Sequence, residues 1–327
     1  MSKAAELAAL IGSQTALSNR NLVINGNMEV AQRGTSHTTA GYGSLDRFQL
    51  ALSGGTATMS QESFTVGQTD VPGSEKYLRC NVSVGNNNAG VYHMIEAQNV
   101  FPAIGGKVTL SYYAKGTSPT DGLNVKVAWY DGSDGANATA QVVTLTSSWV
   151  KYTHTFTTPS VSGLNLAPSN TNARLEISWL QKDSDTGTAA FDLNLAQVQL
   201  EVGEQATAFE HRSFGDELAR CQRYFEKTAD PSSGNLIDTS AGYINRRDGT
   251  ASTVARYYDV RYKVHKRAVP TVTTYDTASN TGKLKQDSTN NITAVIFGSG
   301  TSGFNLYSSG SANHYGVLFG YYVDAEL

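Results

Sequence analysis

Apolar and polar side chains alternate with a period of two in many short stretches of the first two-thirds of the chain. A half-buried antiparallel strand has this pattern, because successive side chains point to opposite faces of a sheet. The clearest alternations cover residues 78–84, 108–114, 123–129, 150–156 and 173–179. With the weaker runs between them, about nine or ten strands are expected. An antiparallel jelly-roll β-sandwich is the economical architecture, because it limits exposed strand edges.

The last strand of this sandwich is predicted within residues 191–201. Its apolar positions change parity: Phe191, Leu193 and Leu195 share one face, and Ala196 begins the opposite series. Because side chains in a strand alternate strictly, this change predicts a bulge near Leu195 and Ala196.

A short linker helix is predicted after this strand. Ser213 is a suitable N-cap, and two carboxylates follow in the first turn, where they suit the helix dipole. Apolar residues at helical spacing give the helix one apolar face: Phe214, Leu218, Cys221 and Phe225. Such a face must be covered, so we expect the helix at the joint of two domains, with Leu218, Cys221 and Phe225 serving in assembly.

A second run of strands follows a turn-rich segment. One long strand is predicted with these residues on its apolar face: Val254, Tyr258, Val260, Tyr262 and Val264. Shorter strands are predicted at residues 271–275, 282–286, 292–297, 303–307 and 317–323. This part of the chain is therefore expected to form a second antiparallel β-sandwich domain.

The N-terminal segment differs from the rest of the chain. Leu7 and Ile11 fall on one face of a short predicted helix. Because an isolated helix this short is marginal in water, its apolar stripe must pack on a copy of itself or on another protein. Leu7 and Ile11 are therefore predicted assembly residues. The alternative is a frayed tail.

These elements predict a mainly β protein in four parts. Residues 1–20 form an N-terminal anchoring or oligomerisation segment, and residues 21–205 form the jelly-roll domain. Residues 206–230 form the connector with its amphipathic helix, and residues 231–327 form a C-terminal β domain.

Composition and charge narrow the range of functions. The 327-residue chain has a net charge of −3 and no long basic run, so no nucleic-acid-binding surface is indicated. Its sequence contains no apolar stretch long enough to cross a bilayer and no signal peptide, so membrane insertion and secretion are not expected. The two cysteines, Cys80 and Cys221, occupy apolar positions and are expected to be buried and unpaired.

The sequence carries no familiar catalytic motif. It contains no G-x-S-x-G elbow and no phosphate-binding glycine loop, and its six histidines are scattered. A pair of carboxylates brought together by folding could still form a glycosidase site, so this alternative stays open. The prediction is that the chain is not an enzyme.

Two stretches carry a resemblance to a known family. Residues 199–227, QLEVGEQATAFEHRSFGDELARCQRYFEK, resemble the domain join of tailed-phage tail fibres and carbohydrate-binding tail proteins. Residues 16–35, ALSNRNLVINGNMEVAQRGT, resemble the start of the same proteins. The segments VRYKVHKRAVPTVTTYD and YYVDAEL resemble their C-terminal domain, so the likeness extends over nearly the whole chain. The jelly roll is similar to family-4/9-type carbohydrate-binding modules.

The resemblance implies a structural virion protein, made in the bacterial host cytoplasm. It implies a homotrimeric tail fibre or fibre-like appendage that attaches through its N-terminus to other virion proteins. Its C-terminal domain would form the distal tip that meets a host-surface glycan. Alternatives are a head or baseplate decoration protein of the same fold, or a polysaccharide-degrading enzyme.

The resemblance also implies one cofactor, a structural calcium ion. In the related modules it lies where the first and last strands meet, and Glu29 and Asp192 occupy the corresponding places. Carboxylate oxygens are suitable calcium ligands. The alternative is that Glu29 faces solvent and Asp192 caps a turn.

Exposed aromatic side chains are the candidate glycan-binding residues. The chain has 17 tyrosines, more than a core of this size needs. Tyr257 lies on the polar face of its predicted strand, and Tyr307 and Tyr315 lie in Gly- and Ser-rich sequence near the C-terminus. Sugar rings stack on such side chains. The alternative is that these tyrosines cover a subunit interface, where tyrosine is also enriched.

Overall fold

The fold is taken from a computed structural model of the 327-residue chain. The structure describes residues 19–85, 88–181, 190–230, 237, 242–252, 257–286, 289–308 and 314–327, with the backbone alone at 248–252 and 314–315. The predicted N-terminal helix, with Leu7 and Ile11, lies outside the described residues.

Short antiparallel strands dominate the described part of the chain. The first sheet strands are β1 (Ser36–His37), β2 (Phe48–Ala51), β3 (Thr56–Ser63), β4 (Lys76–Val84), β5 (Gly90–Glu96), β6 (Lys107–Thr117), β7 (Leu123–Tyr130), β8 (Gly135–Asn137), β9 (Gln141–Val143), β10 (Val150–Thr157), β11 (Arg174–Gln181) and β12 (Phe191–Val202). Two 3₁₀ turns, Ala97–Asn99 and Phe101–Ala103, follow β5. The helix α1 spans Phe214–Gln222. The later strands are β13 (Phe225–Lys227), β14 (Ile244–Ser252), β15 (Tyr257–Arg261), β16 (Thr271–Tyr275), β17 (Lys283–Gln286), β18 (Thr289–Ser299), β19 (Gly303–Ser308) and β20 (His314–Asp324).

The first twelve strands form a β-sandwich. One sheet has the order β1-β3-β4-β12-β6-β10, and the other has the order β2-β5-β11-β7-β8, with β9 also paired to β7. The inward side chains of both sheets form one apolar core, which includes the fully buried Trp129 and Trp179. The predicted mainly β fold with an antiparallel sandwich is confirmed.

The predicted bulge in the last sandwich strand is present. The pairing of β12 with β6 shifts between Ala196 and Gln199, and Gln197 has a positive φ of 49°. The backbone N–H of Val198 then donates to the carbonyl of Gly26 over 2.9 Å. A Cβ atom on Gly26 would lie 2.2 Å from the Val198 carbonyl oxygen, so only glycine fits this approach.

The linker helix begins as predicted but ends earlier. The hydroxyl of Ser213 accepts a hydrogen bond from the backbone N–H of Asp216 over 3.2 Å, which confirms the N-cap. The prediction of Phe225 on the helix is wrong, because α1 ends at Gln222 and Phe225 begins β13. The helix is too short for its apolar face to reach Phe225.

The helix buries Cys221 as predicted but not the whole predicted apolar face. Phe214 is 47% exposed, whereas Glu217 is buried and accepts a hydrogen bond from the backbone N–H of Asn25. Arg212 pairs with the Glu217 carboxylate over 3.4 Å. A buried acidic residue therefore anchors α1 to the segment that precedes β1.

The C-terminal strands form one strongly curved sheet. Its order is β13-β20-β17-β18-β19-β15, with β14 and β16 also paired to β20. The ring centroids of Phe304 in β19 and Tyr321 in β20 lie 5.2 Å apart, although β17 and β18 separate these strands in the sheet. The sheet therefore folds over on itself, and its two halves face each other across a core as the layers of a sandwich do.

The long strand predicted at residues 254–264 ends earlier in the structure. Strand β15 covers Tyr257–Arg261, and Tyr262 follows it in the same core. Val254 lies outside the described residues. Among the described helices, none is long and apolar enough to cross a membrane.

Buried charged residues join the sandwich to the C-terminal sheet. Glu96 at the end of β5 accepts hydrogen bonds from Arg223 over 2.9 and 3.0 Å and from the Tyr224 hydroxyl over 2.6 Å. The fully buried Arg47 pairs with Glu326, and its guanidinium lies 3.5 Å from the centre of the Tyr224 ring. We call these five residues the junction.

Candidate functional site

Three aromatic side chains meet on the outer face of the C-terminal sheet. Tyr257 in β15 is directly opposite Tyr307 in β19, and their ring centroids lie 5.5 Å apart. The Phe297 ring lies 5.2 Å from that of Tyr257 and 6.0 Å from that of Tyr307. We call Tyr257, Phe297 and Tyr307 the aromatic row. It brings together two of the three predicted glycan-binding tyrosines.

Strand alternation turns these rings outward. Tyr258 and Val260 of β15 point into the core, so Tyr257 points to the opposite face. Ile296 of β18 packs against the core, so the next residue, Phe297, points to the outer face, at a bulge where the pairing of β18 with β19 shifts between Ile296 and Gly298. Tyr257 is 67% exposed and Phe297 is 52% exposed. Exposure of such large apolar rings costs free energy unless a partner covers them.

A row of polar side chains lies beside the aromatic row. Asp259 of β15 is directly opposite Asn305 of β19, two positions from the Tyr257–Tyr307 pair. Two residues along a strand correspond to about 7 Å, so the two rows are neighbours on one face. Arg261 donates from its Nε atom to the Asp259 carboxylate over 2.8 Å.

This arrangement has the chemistry of a surface that binds a hydroxylated ring. The C–H face of a sugar can pack on the exposed rings of the aromatic row. The Asp259 carboxylate accepts hydrogen bonds from hydroxyl groups, and the Asn305 amide both accepts and donates them. Aromatic packing supplies apolar area, and the polar row supplies orientation.

The third predicted tyrosine cannot be added to this row. Tyr315 lies in β20, but its side chain is outside the part described at atomic detail. A glycan-binding role for Tyr315 stays a prediction.

The two predicted calcium ligands have protein partners. The Asp192 carboxylate pairs with Arg79 Nε at 3.0 Å, and Glu29 accepts a hydrogen bond from the Asn27 side-chain amide over 2.8 Å. Within the described ranges, no group of three or more His, Cys, Asp or Glu side chains is arranged to hold a metal. The calcium site stays a prediction.

The chain itself covers two of the predicted assembly residues. Cys221 and Phe225 are buried, and the Arg33 guanidinium lies 3.8 Å from the centre of the Phe225 ring. Burial raises the pKa of the Cys221 thiol well above its ordinary value. Leu218 is half-buried and retains some exposed surface. A role for these residues in subunit assembly stays a prediction.

Phe297 was not among the predicted site residues. In the run Ile292–Phe297 the apolar series is Ile292, Ala294 and Ile296, so Phe297 falls on the other parity. The same signal, an aromatic side chain on the polar face of a strand, pointed to Tyr257. It could have found Phe297 as well.

No protein-family model and no curated protein sequence matches this chain. Among solved structures, the chain is similar to the N-terminal cellulose-binding domain of the β-1,4-glucanase C from Cellulomonas fimi, with 20% identity and a TM-score of 0.28 over 45% of this chain and 90% of that domain. It is similar to the C-terminal family 22 carbohydrate-binding module of Xyn10B from Clostridium thermocellum, with 14% identity and a TM-score of 0.32 over 54% of this chain and 98% of that module.

A tailspike domain is also similar to part of the chain. The enzymatically active domain of tailspike protein 4 from bacteriophage CBA120 matches with 12% identity and a TM-score of 0.32. The match covers 56% of this chain and 22% of that domain.

Proposed function

We propose that this chain is a non-catalytic carbohydrate-binding subunit of a tailed-phage virion, a tail fibre or fibre-like appendage that attaches to a host-surface glycan. The observation that carries the proposal is the aromatic row with its adjoining polar side chains. Two rings that are more than half exposed lie beside a carboxylate and an amide, which is the composition of a sugar-binding surface.

The absence of catalysis is supported by the composition of this surface. Strands β15, β18 and β19 contain one acidic residue, Asp259. Hydrolysis of a glycosidic bond usually requires two carboxyl groups placed on either side of the bond. The Asp259 carboxylate is also paired with Arg261. Binding without cleavage is therefore the function that this face supports.

The virion part of the proposal follows from the resemblance of residues 16–35 and 199–227 to phage fibre proteins. The N-terminal segment would attach to other virion proteins, and three copies would form a homotrimer. A trimer would present three aromatic rows, and multivalency would compensate for the weak affinity of a single sugar site.

Binding of the purified chain to bacterial surface polysaccharides tests the sugar-binding role. We expect Tyr257→Ala and Phe297→Ala each to weaken binding by about tenfold, because each removes one stacking surface. Phe214→Ala is the matched control, because Phe214 is 47% exposed and lies on α1, away from the row. Equal affinities for all three variants and the wild type would contradict the proposal.

Light scattering tests the assembly. A trimer would have about three times the chain mass of 35.0 kDa. A trimer that dissociates in EDTA would support the calcium site at Glu29 and Asp192, and a trimer that is unchanged would count against it. A stable monomer would contradict an isolated trimer and would direct attention to assembly on the virion.

A further inference from the structure

A second group of aromatic side chains lies on the sandwich, outside the site described above. The rings of Phe64, Tyr77 and Trp149 are in mutual contact, with centroid distances of 4.8 Å for Phe64–Tyr77, 5.2 Å for Phe64–Trp149 and 5.4 Å for Tyr77–Trp149. All three are partly exposed. We call Phe64, Tyr77 and Trp149 the Trp149 cluster.

The cluster lies on the outer face of the sheet that contains β12. Leu78 and Cys80 of β4 point into the core, so Tyr77 of the same strand points outward. Phe64 follows β3 directly, and Trp149 precedes the edge strand β10. The three rings therefore come together from β4 and from the ends of β3 and β10.

A lysine lies against these rings. The Lys115 ammonium is 5.2 Å from the centre of the Trp149 ring and 6.0 Å from that of Tyr77. In the described part of the chain, no carboxylate pairs with this ammonium group. Cation–π contacts hold it in place and, among the described residues, leave its positive charge without a counter-ion.

A second cation lies in the same row of the sheet. Asn194 of β12 is paired with Lys115 of β6 on one side and with Arg79 of β4 on the other. Two strand spacings separate the cations, which is about 10 Å. Arg79 uses its Nε atom to bind Asp192 over 3.0 and 3.2 Å, and its terminal amino groups have no acceptor among the residues that the structure describes.

An open polar groove continues from Arg79 across the strands at the sheet edge. Its volume is about 370 Å³. Its lining offers the hydroxyl of Ser60, the carboxylate of Glu62, the guanidinium of Arg79 and the amide of Asn81, among others. A ligand with many hydroxyl groups suits this lining. An apolar protein surface does not, because it would cover these polar groups without hydrogen bonds.

We propose that this face binds an acidic saccharide, a glycan whose pyranose rings carry carboxylate groups. A sugar ring stacks on the Trp149 cluster, its carboxylate pairs with Lys115, and its neighbouring hydroxyl groups extend along the groove past Arg79. This site goes beyond the proposed function, because it lies on the other domain and selects for charge. It does not depend on the aromatic row.

Tryptophan fluorescence gives a selective report on this site. The chain has three tryptophans, and Trp129 and Trp179 are fully buried in the sandwich core. Quenching of the full chain by acrylamide therefore reports mainly on Trp149. The aromatic row contains no tryptophan, so its ligands leave this signal unchanged.

The test titrates the full chain with oligosaccharides of galacturonate, glucuronate and mannuronate, and with neutral galactose and glucose oligosaccharides of equal length. We expect at least one acidic series to protect Trp149 from acrylamide. The neutral series should require about tenfold higher concentrations, and added salt should weaken the acidic interaction. Protection by neutral and acidic sugars at equal concentrations, or by neither, overturns the proposal.

Variants identify the charge that matters. Lys115→Gln should weaken binding of the acidic oligosaccharides about fivefold, because it removes the partly exposed ion pair between the lysine and the sugar carboxylate. Lys126→Gln is the matched control, because Lys126 is a partly exposed lysine on the opposite sheet, in β7. Equal effects of the two substitutions overturn the role of Lys115. Tyr257→Ala should leave this binding intact, so failure of the proposed function and failure of this site are distinguishable.

Discussion

The interior of the sandwich and the junction are both buried, but different chemistry holds them together. The sandwich core is a continuous set of apolar side chains from both sheets, with Trp129 and Trp179 among them. The junction buries Arg47 and Glu96 and pairs them with charged groups, Arg47 with Glu326 and Glu96 with Arg223, and the Tyr224 hydroxyl also donates to Glu96. The core gains free energy from apolar burial, whereas the junction must offset the cost of taking charges out of water.

The two kinds of contact differ in how strictly they fix the position of one domain relative to the other. Apolar burial is tolerant of small changes in position, because it has no preferred direction. Hydrogen-bonded charge pairs require one geometry. The junction therefore fixes how the C-terminal sheet, with its aromatic row, is held relative to the sandwich.

The largest expected effect comes from breaking the Arg47–Glu326 pair. Glu326→Gln leaves the fully buried Arg47 guanidinium without a full counter-charge, and we expect a loss of about 3–5 kcal/mol in the free energy of unfolding. Urea unfolding followed by tryptophan fluorescence and circular dichroism measures it.

Two further variants separate the buried charge from a general charge effect. Glu204→Gln removes one partner of the exposed Lys107–Glu204 pair and should change stability by less than about 1 kcal/mol. Arg47→Met combined with Glu326→Gln should recover part of the loss, because the unpaired Arg47 charge is then removed, while the buried Arg33 side chain keeps its pair with Asp324. Similar losses for Glu204→Gln and Glu326→Gln would refute the contrast between surface and junction.

A smaller effect is expected in the sandwich core. Ile177→Val removes one methylene group from a fully buried side chain of β11 and should cost about 1 kcal/mol. The same urea experiment measures it, and Trp129 and Trp179 report directly on this core. A cost as large as that of Glu326→Gln would show that apolar packing and the charged junction are equally sensitive.

The sequence pattern predicted the sandwich well because its information is local. Alternation identified the inward faces of the core strands, and the change of parity at Leu195 and Ala196 marked the bulge in β12. The sequence pattern did not predict strand β14, because its sequence, INRRDGTAS, has no alternation of apolar and polar residues. This segment forms a strand because it pairs with β20, not because of its own side-chain pattern.

The junction and the aromatic row could be predicted only in part. Arg47 and Glu326 are separated by 279 positions, and nothing local marks either residue as buried. Tyr257 and Tyr307 were predicted separately as exposed tyrosines, but their contact depends on the register between β15 and β19. Register follows from the whole sheet and its turns, so a single strand does not reveal its partner.

The smallest expected effect is a pH dependence at Glu96. Burial alone would raise the pKa of this carboxyl group, but hydrogen bonds from Arg223 and Tyr224 outweigh burial and hold the pKa below its ordinary value of 4.5. A carboxyl group whose pKa is lower in the folded state than in the unfolded state stabilises the fold. Its full contribution is present at pH values above the unfolded-state pKa. That stabilisation is lost as the pH falls through the lowered folded-state pKa.

Thermal unfolding measured from neutral pH down to below 4.5 tests this dependence. The wild type should lose stability in the acid range partly because the protonated Glu96 no longer holds the Arg223 charge. Glu96→Gln should be less stable at neutral pH and should show a flatter decline in acid, since it lacks the titrating group. If the stability of the two proteins fell equally with decreasing pH, Glu96 would contribute no pH-dependent stability to the junction.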